Sequence, residues 1–129
     1  MKLNEIRAFI YKYLIQNVQH ENIVFDNQKA EEINPTKHHI KLSFDAIKKD
    51  LLEIGGSSSM ITGTCKFTIY TPEGFGLSKC FEIIDSIIEL FFNKKIDGFF
   101  FGDLELKNNG LNDNFYSFDV SINFENEVF

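Results

Sequence analysis

Hydrophobic and polar residues alternate along four stretches of the chain with the two-residue period of a β-strand. The clearest alternation runs from Tyr116 to Phe124, where the apolar residues share one parity and the polar residues the other. His39 to Asp45, Met60 to Tyr70 and Phe99 to Leu106 are the other candidates. Asn109-Gly110 predicts the turn before the last strand, because both residues tolerate a positive φ.

Two other stretches repeat apolar residues with the period of an amphipathic helix, Leu3 to Val18 and Leu77 to Asn93. The main apolar stripe of the second helix is Leu77, Cys80, Phe81, Ile84, Ile87, Ile88 and Phe91. Ile83 and Leu90 lie on one flank of this stripe, so the apolar arc is wider than packing on one sheet should require. Ala46 to Ile54 could form a further short helix.

The order of these elements predicts the fold class. Ile23 to Phe25 is a short strand candidate, which gives the order helix, three strands, helix, two strands. Strands with one apolar face and helices with one apolar face pack most economically as two layers. We therefore expect a single α+β domain over residues 1–129, with an antiparallel or mixed sheet of about four to five strands and two main helices on one face.

Composition and charge narrow the function. The chain has 129 residues with 15 Phe and no Trp, enough apolar material for one core. Its 13 basic and 19 acidic residues give a net charge of −6, which argues against sequence-specific or backbone binding of nucleic acid. Charged residues interrupt the longest apolar stretch, so we expect no membrane span. Cys65 and Cys80 lack the spacing of a metal site or redox pair and are expected to be buried small side chains.

Candidate chemistry is sparse. Gly74 to Lys79 resembles a phosphate loop only superficially, because the spacing of its glycines and lysine does not fit. His38 and His39 are neighbours on a predicted strand, so their side chains point to opposite faces and cannot share a metal ion. No catalytic pair or triad can be assembled from the sequence. We therefore predict that the protein is not an enzyme and carries no cofactor or metal.

Two features are left without an assigned role. The first is the surplus of apolar surface at Ile83 and Leu90 and at Phe99 to Phe101, of which one parity should leave the core. It fits either a subunit interface, where Phe is enriched, or a wide internal helix face with ordinary scattered exposure. The second is a flexible segment formed by Gly55, Gly56, Ser57, Ser58 and Ser59, which is either slack or a loop that orders on a partner.

Several segments, taken in order, resemble a known family. The N-terminal amphipathic helix is followed by Glu21-Asn22-Ile23-Val24-Phe25-Asp26, and a later strand ends in Tyr70-Thr71-Pro72-Glu73-Gly74-Phe75-Gly76. The next helix closes on Leu90-Phe91-Phe92, and the last strand opens at Phe115-Tyr116. In this order the segments resemble the small tail terminator, or tail completion, proteins of long-tailed bacteriophages and prophages. The chain departs from the family at Gln19-His20, where an aromatic residue often precedes the Glu-Asn pair.

The resemblance implies a structural subunit of the virion tail, assembled in the bacterial host cytoplasm. Copies would form a ring, a hexamer in this family, that caps the tail tube, stops tube polymerisation and presents a surface to the head-neck proteins. DNA would pass through the lumen, and no cofactor or membrane would be involved. On this basis Ile83 and Leu90 are expected at the subunit interface, and the loop 55–59 is expected to contact the tail tube protein.

Two alternatives stay open from the sequence. A head-tail connector or neck protein can have a similar fold and would act one step nearer the head. A small ligand-binding domain is the other alternative, with an anion held at the Pro72–Gly76 turn, where a helix begins.

Overall fold

The described part of the chain, residues 3–18, 22–24, 37–51, 59–112 and 114–128 of a computed structural model, forms two helices and six strands. In chain order they are α1 (Leu3–Asn17), β1 (Asn22–Val24), β2 (His39–Leu51), β3 (Ser59–Pro72), α2 (Ser78–Phe91), β4 (Lys94–Ile96), β5 (Phe99–Asn112) and β6 (Phe115–Val128). The strands make one sheet in the order β1-β2-β3-β6-β5-β4. Neighbours are antiparallel except β1 and β2, which are parallel.

This architecture confirms the predicted α+β class and the mixed, mainly antiparallel sheet. Four long strands, β2, β3, β6 and β5, make the body of the sheet. The three-residue strands β1 and β4 lie on its two outer sides. They are shorter than the five to six residues of a typical strand, so their sequence patterns are correspondingly weak.

Both helices pack on the same face of the sheet, and Phe91 of α2 is the centre of that packing. Its ring lies 5.0 Å from the rings of both Phe67 on β3 and Phe101 on β5. Tyr13 of α1 meets Phe91 edge-on at 5.3 Å, and its hydroxyl donates a hydrogen bond to the Leu90 carbonyl. The side chains of Phe67, Phe91 and Phe101 are completely buried, so one aromatic cluster joins both helices to the sheet.

The alternation predicted for the central strands is confirmed by their register and burial. Cys65 pairs with Ile122, and Phe67 pairs with Val120, all four side chains facing the helices and fully buried. The Phe99 to Phe101 run follows the same rule, because its first and third residues are in the core while Phe100 points to the other face and is half-buried. The period of two thus decides which Phe leaves the core.

The possible helix at residues 46–54 is instead the second half of β2, which continues to Leu51. The strand accommodates an irregularity between Asp45 and Lys48, where Ala46 has a φ of 51°. Such a β-bulge puts two residues opposite one and interrupts the alternation from which strands are predicted. Ile47 in the bulge lies close to Gly63 of β3, where an added Cβ would come within 3.3 Å of Ile47.

The turn predicted at Asn109-Gly110 is wrong, since β5 runs through it to Asn112. Gly110 has a φ of 74°, and its N–H donates a hydrogen bond to the Asn108 side-chain oxygen at 2.8 Å. The register with β6 shifts at this point. The dipeptide therefore forms a bulge within the strand, which needs the same positive φ as a hairpin turn.

Candidate subunit-contact surface

The two residues predicted for the subunit interface both lie against the core of their own subunit. Ile83 is 2% exposed and belongs to the hydrophobic cluster beneath α2. Leu90 is half-buried and packs against the same cluster. The structure thus places Ile83 in the wide internal helix face that was the alternative interpretation, and its side chain is covered before any neighbour arrives.

The reason is that α2 meets the sheet with a different side from the one that its sequence pattern predicts. At 100° per residue, the buried residues of α2 centre about 45° away from the stripe that the sequence pattern predicts. These buried residues are Cys80, Ile83, Ile84, Ile87 and Phe91. Phe81, which the stripe includes, is 47% exposed. Rotation brings Ile83 in and turns Phe81 out, so the surplus apolar surface lies on the opposite flank from the one predicted.

The glycine- and serine-rich loop lies almost entirely outside the described residues. Gly55, Gly56, Ser57 and Ser58 fall in the undescribed range 52–58. Ser59 begins β3, where it pairs with Leu51 on one side and Val128 on the other. The expected contact of this loop with the tube remains a prediction.

A cluster of exposed apolar side chains lies around the first turn of α2 and the hairpin of β5 and β6. Leu106, Leu111 and Phe81 are 49%, 53% and 47% exposed. Leu106 is opposite Val120 and Leu111 is opposite Tyr116 in the register, which puts both on the helix-facing side of the sheet. We call this cluster, with the partly buried rings of Tyr116 and Phe118, the hairpin patch.

The hairpin patch is ordered by aromatic contacts. The Phe118 ring lies 5.5 Å from Phe81 and 5.6 Å from Tyr116. The Tyr116 hydroxyl accepts a hydrogen bond of 2.7 Å from the Asn108 side-chain amide. A contiguous exposed apolar patch held in place in this way is typical of a surface that contacts another protein, whereas isolated exposed apolar residues are ordinary.

Sequence reasoning misses these residues for a traceable reason. Leu106 ends a predicted strand and Leu111 follows the predicted turn, so neither residue is predicted to belong to a subunit-contact surface. Leu111 is an isolated apolar residue within the polar run 107–114, and that isolation is the signal that could have found it. Phe81 could not have been found, because helical periodicity alone does not say where the sheet ends beneath the helix.

The opposite face of the sheet carries polar and charged residues of both signs. Lys41, Thr68, Asp119 and Lys107 form one row across β2, β3, β6 and β5. Within this row the Thr68 hydroxyl donates a 2.7 Å hydrogen bond to the Asp119 carboxylate. An open depression of about 640 Å³ covers this region.

Further along the same face, Asp45, Asp103 and Glu105 border a second depression of about 470 Å³. Charges of both signs therefore alternate along this face. We call this whole surface the polar face.

Burial shifts the pKa values of two thiols and one imidazole. Burial raises the pKa of the Cys65 thiol to about 12 and raises the pKa of the Cys80 thiol, so both are protonated at neutral pH. Burial also lowers the pKa of His39, whose Nδ1 lies 2.8 Å from the Lys37 carbonyl oxygen. Among the residues that the structure describes, no three His, Cys, Asp or Glu side chains are grouped so that they could hold a metal ion.

The Pro72–Gly76 turn, the candidate for anion binding, is a tight connection between β3 and α2. Gly74 and Gly76 have φ values of 86° and 72°, and the Phe75 N–H donates to the Pro72 carbonyl at 3.3 Å. The Phe75 side chain is 62% exposed and its ring lies 6.1 Å from the His38 ring. The glycines provide the positive φ that the turn requires.

Comparison with known proteins identifies the fold of the chain. No family model matches the chain, and no curated protein matches it. A solved protein structure matches with a TM-score of 0.66 and 14% sequence identity, covering 100% of this chain and 98% of that one. At this identity the likeness establishes a shared fold over the whole chain.

The length and polarity of the two helices bear on membrane contact. Neither of the helices in the described ranges is long and apolar enough to cross a membrane.

Proposed function

We propose that this chain is a structural subunit of a phage tail, which forms a ring on the end of the tail tube. The ring stops tube polymerisation and presents a surface for the head-neck proteins. The order of segments that resembles the tail terminator family supports this function, and so do the exposed apolar side chains of the hairpin patch.

The observation that carries the proposal is the hairpin patch. Phe81 on α2, with Leu106 and Leu111 on the hairpin, leaves about half of each side chain in water beside the Phe118 and Tyr116 rings. Fully burying such side chains contributes about 1.5–3 kcal/mol each, so covering the remaining halves adds about 1 kcal/mol for each residue. That sum is too small for a stable dimer and fits subunits that associate weakly alone and close a ring on a template.

Charge is compatible with a ring through which DNA passes. Each copy carries a net charge of −6, and a ring multiplies that charge. A negative ring repels phosphates and opposes the binding of DNA to its walls. The polar face, with both signs of charge, offers no continuous basic track that would hold the DNA backbone.

The proposal is tested by adding the purified protein to its tail tube protein during polymerisation and measuring tube lengths by negative-stain microscopy. We expect the protein to shorten the tubes and Leu106→Asp to abolish the shortening. Leu3→Asp is the matched control, because Leu3 is 59% exposed at the start of α1, away from the hairpin patch. Tube lengths that do not respond to the unmodified protein contradict the proposal.

The same preparation separates the terminator from the connector. A terminator binds the end of the tube in the absence of any head component. A neck protein binds the head vertex and leaves free tubes unchanged, so labelled protein found only on heads would favour the connector.

A further inference from the structure

Among the described residues, the long strands β2 and β5 are each covered on their outer side for only three residues. β1 pairs with β2 only at His39, Ile40 and Lys41, and β4 pairs with β5 only at Phe99, Phe100 and Phe101. In the described part of the chain, no strand of the sheet pairs with the outer side of β2 from Leu42 to Leu51 or of β5 from Gly102 to Asn112. Natural sheets normally shorten or cover such edges, since free N–H and C=O groups recruit further strands.

The two free edges are suited to each other. The steps from β2 to β3, from β3 to β6 and from β6 to β5 are all antiparallel, so β5 runs opposite to β2. A second copy, rotated about an axis along the strands, would place its β2 antiparallel to β5 of the first. The two edges lie on opposite sides of one sheet, so each copy uses a different surface towards each neighbour, which is the heterologous contact of a ring.

We propose that β5 of one copy pairs with β2 of the next, making the sheet continuous around the ring. This inference rests on the proposed function only for the existence of a ring. The occupant of the free β5 edge is a second copy of this chain, and the contact consists of main-chain hydrogen bonds between the two free stretches.

The short strands β1 and β4 fix the register of this pairing. Continuing the rows of the sheet straight across would put Lys107 opposite Lys41 of the neighbouring copy, but the outer side of Lys41 is already paired with Val24 of β1. Sliding the neighbour until the two free stretches face each other puts Lys107 opposite Asp45. In that register, with the irregularities of β5 counted as in its pairing with β6, Gly102 reaches Asp50 and Gly110 reaches Ser43, so nearly all of both free stretches is used.

Charge favours the same shifted register on the polar face. It places Lys107 opposite Asp45 and Glu105 opposite Lys48 of the neighbouring copy, the bulge at Asp45/Lys48 being counted as it is in the pairing with β3. The straight-across register instead opposes Lys107 to Lys41 and Asp103 to Asp45. Opposite charges across a strand pair stabilise it and like charges destabilise it.

Apolar contact favours the shifted register on the helix-facing side. It puts Leu106, which is 49% exposed, opposite the bulge that carries Ile47, which is 40% exposed. Leu106 belongs to the hairpin patch, so the strand pairing covers part of the same surface. A constant shift between subunits is also the stagger that a sheet needs to close on itself.

Disulfide cross-linking tests the register directly. Directly opposed residues of antiparallel strands have Cα atoms about 4.5–5.5 Å apart, within the range of a disulfide. The variant Asp45→Cys/Lys107→Cys is oxidised, with Lys41→Cys/Lys107→Cys as the straight-across control. The native Cys65 and Cys80 are fully buried, so oxidation of the unmodified protein gives the background level of cross-linking.

We expect the first variant to give a ladder of covalent oligomers on a non-reducing gel, ending at the copy number of the ring, and the control to remain monomeric on the gel. A ladder from the control alone, a first variant that stops at the dimer, or rings in sedimentation without any cross-link would overturn the strand pairing and leave the ring intact. Protein that stays monomeric by sedimentation, with and without tail tubes, overturns the ring and the pairing together.

A charge exchange provides a second readout that does not depend on oxidation. Lys107→Glu is expected to weaken assembly at least tenfold, and adding Asp45→Lys is expected to restore it, because the pair is re-formed with its signs reversed. In the straight-across register Lys107→Glu would strengthen assembly by facing Lys41. Strengthening by the single variant, or no rescue by the double variant, contradicts the shifted register.

Discussion

Ile83 and Phe81 lie two positions apart on α2, and the structure gives them opposite roles. Ile83 is 2% exposed in the core, whereas Phe81 is 47% exposed in the hairpin patch. Replacing each in turn by aspartate compares the effect of the same charged side chain at a core position and at a surface position. We expect Ile83→Asp to unfold the subunit and Phe81→Asp to leave it folded.

The magnitude for Ile83→Asp follows from its burial. Removing a large buried aliphatic side chain costs about 2–5 kcal/mol, and an unpaired buried carboxylate adds several kcal/mol more. The total is at least about 5 kcal/mol, against about 5–15 kcal/mol for the whole stability of a domain. This variant should therefore be largely unfolded, or unfold at very low urea concentration.

The magnitude for Phe81→Asp is much smaller. Losing the buried half of the ring costs about 1 kcal/mol, and losing the edge-on contact with Phe118 costs about 0.5–1.5 kcal/mol more. Aspartate in the first turn of a helix returns about 0.3–1 kcal/mol through the helix dipole. We expect a net loss of about 1–2 kcal/mol in the free energy of unfolding.

Urea unfolding followed by far-UV circular dichroism measures both variants, since the chain has no Trp for fluorescence. Sedimentation velocity on the same samples reports assembly, which Phe81→Asp should weaken. If Ile83→Asp unfolds within about 1 kcal/mol of the unmodified protein yet no longer assembles, Ile83 is an interface residue and its position in the core beneath α2 is refuted.

Two further predictions concern the fold itself. Gly98→Ala should lower the free energy of unfolding by about 1–2 kcal/mol in urea, because Gly98 has a φ of 87° that alanine adopts only with strain. A Cβ itself would fit, since its nearest neighbour, the Asn126 amide, lies 3.6 Å away. Gly102→Ala, at a glycine without a positive φ, is the control, and equal losses in the two variants would contradict the backbone explanation. The Cys65 thiol has its pKa raised from 9.0 to about 12 by burial, so the unfolded chain releases this proton first and stability should fall by up to about 1.4 kcal/mol per pH unit between those values. Cys65→Ala should flatten that part of the pH profile relative to the unmodified protein, and identical slopes would show that the thiol ionises normally in the fold.

The parts of the fold that follow a simple period could be predicted from the sequence. The alternation from Tyr116 to Phe124 and from Met60 to Tyr70 predicts β6 and β3, because a sheet with one buried face imposes a strict period of two. Helical spacing predicts α2 to within two residues at each end. The class and the layer arrangement follow from these elements alone.

The parts that escape prediction depend on contacts between elements. The bulge at Ala46 and the one at Gly110 break the period, so each disguises the continuation of a long strand. The Asp97-Gly98 turn is a standard hairpin dipeptide, with φ values of 48° and 87°, but strand β4 beside it is too short to show a period.

The candidate surface is hardest to predict for the same reason. Helical spacing identifies an apolar arc but does not fix which edge of that arc meets the sheet, and a rotation of about 45° exchanges Ile83 for Phe81. Leu106 is apolar and has core parity, yet it is 49% exposed on β5, towards the side of the sheet. Whether a helix covers such a position depends on where the helix lies across the sheet, which no period in the sequence encodes.

The most direct test of the central claim is microscopy of tail tube ends, with the unmodified protein bound and class averages computed for each tip. We predict a single ring on one end of every shortened tube, with no added density along the shaft. Bare ends on tubes of unchanged length, at protein concentrations in excess of tube ends, would contradict the claim that this chain caps a filament.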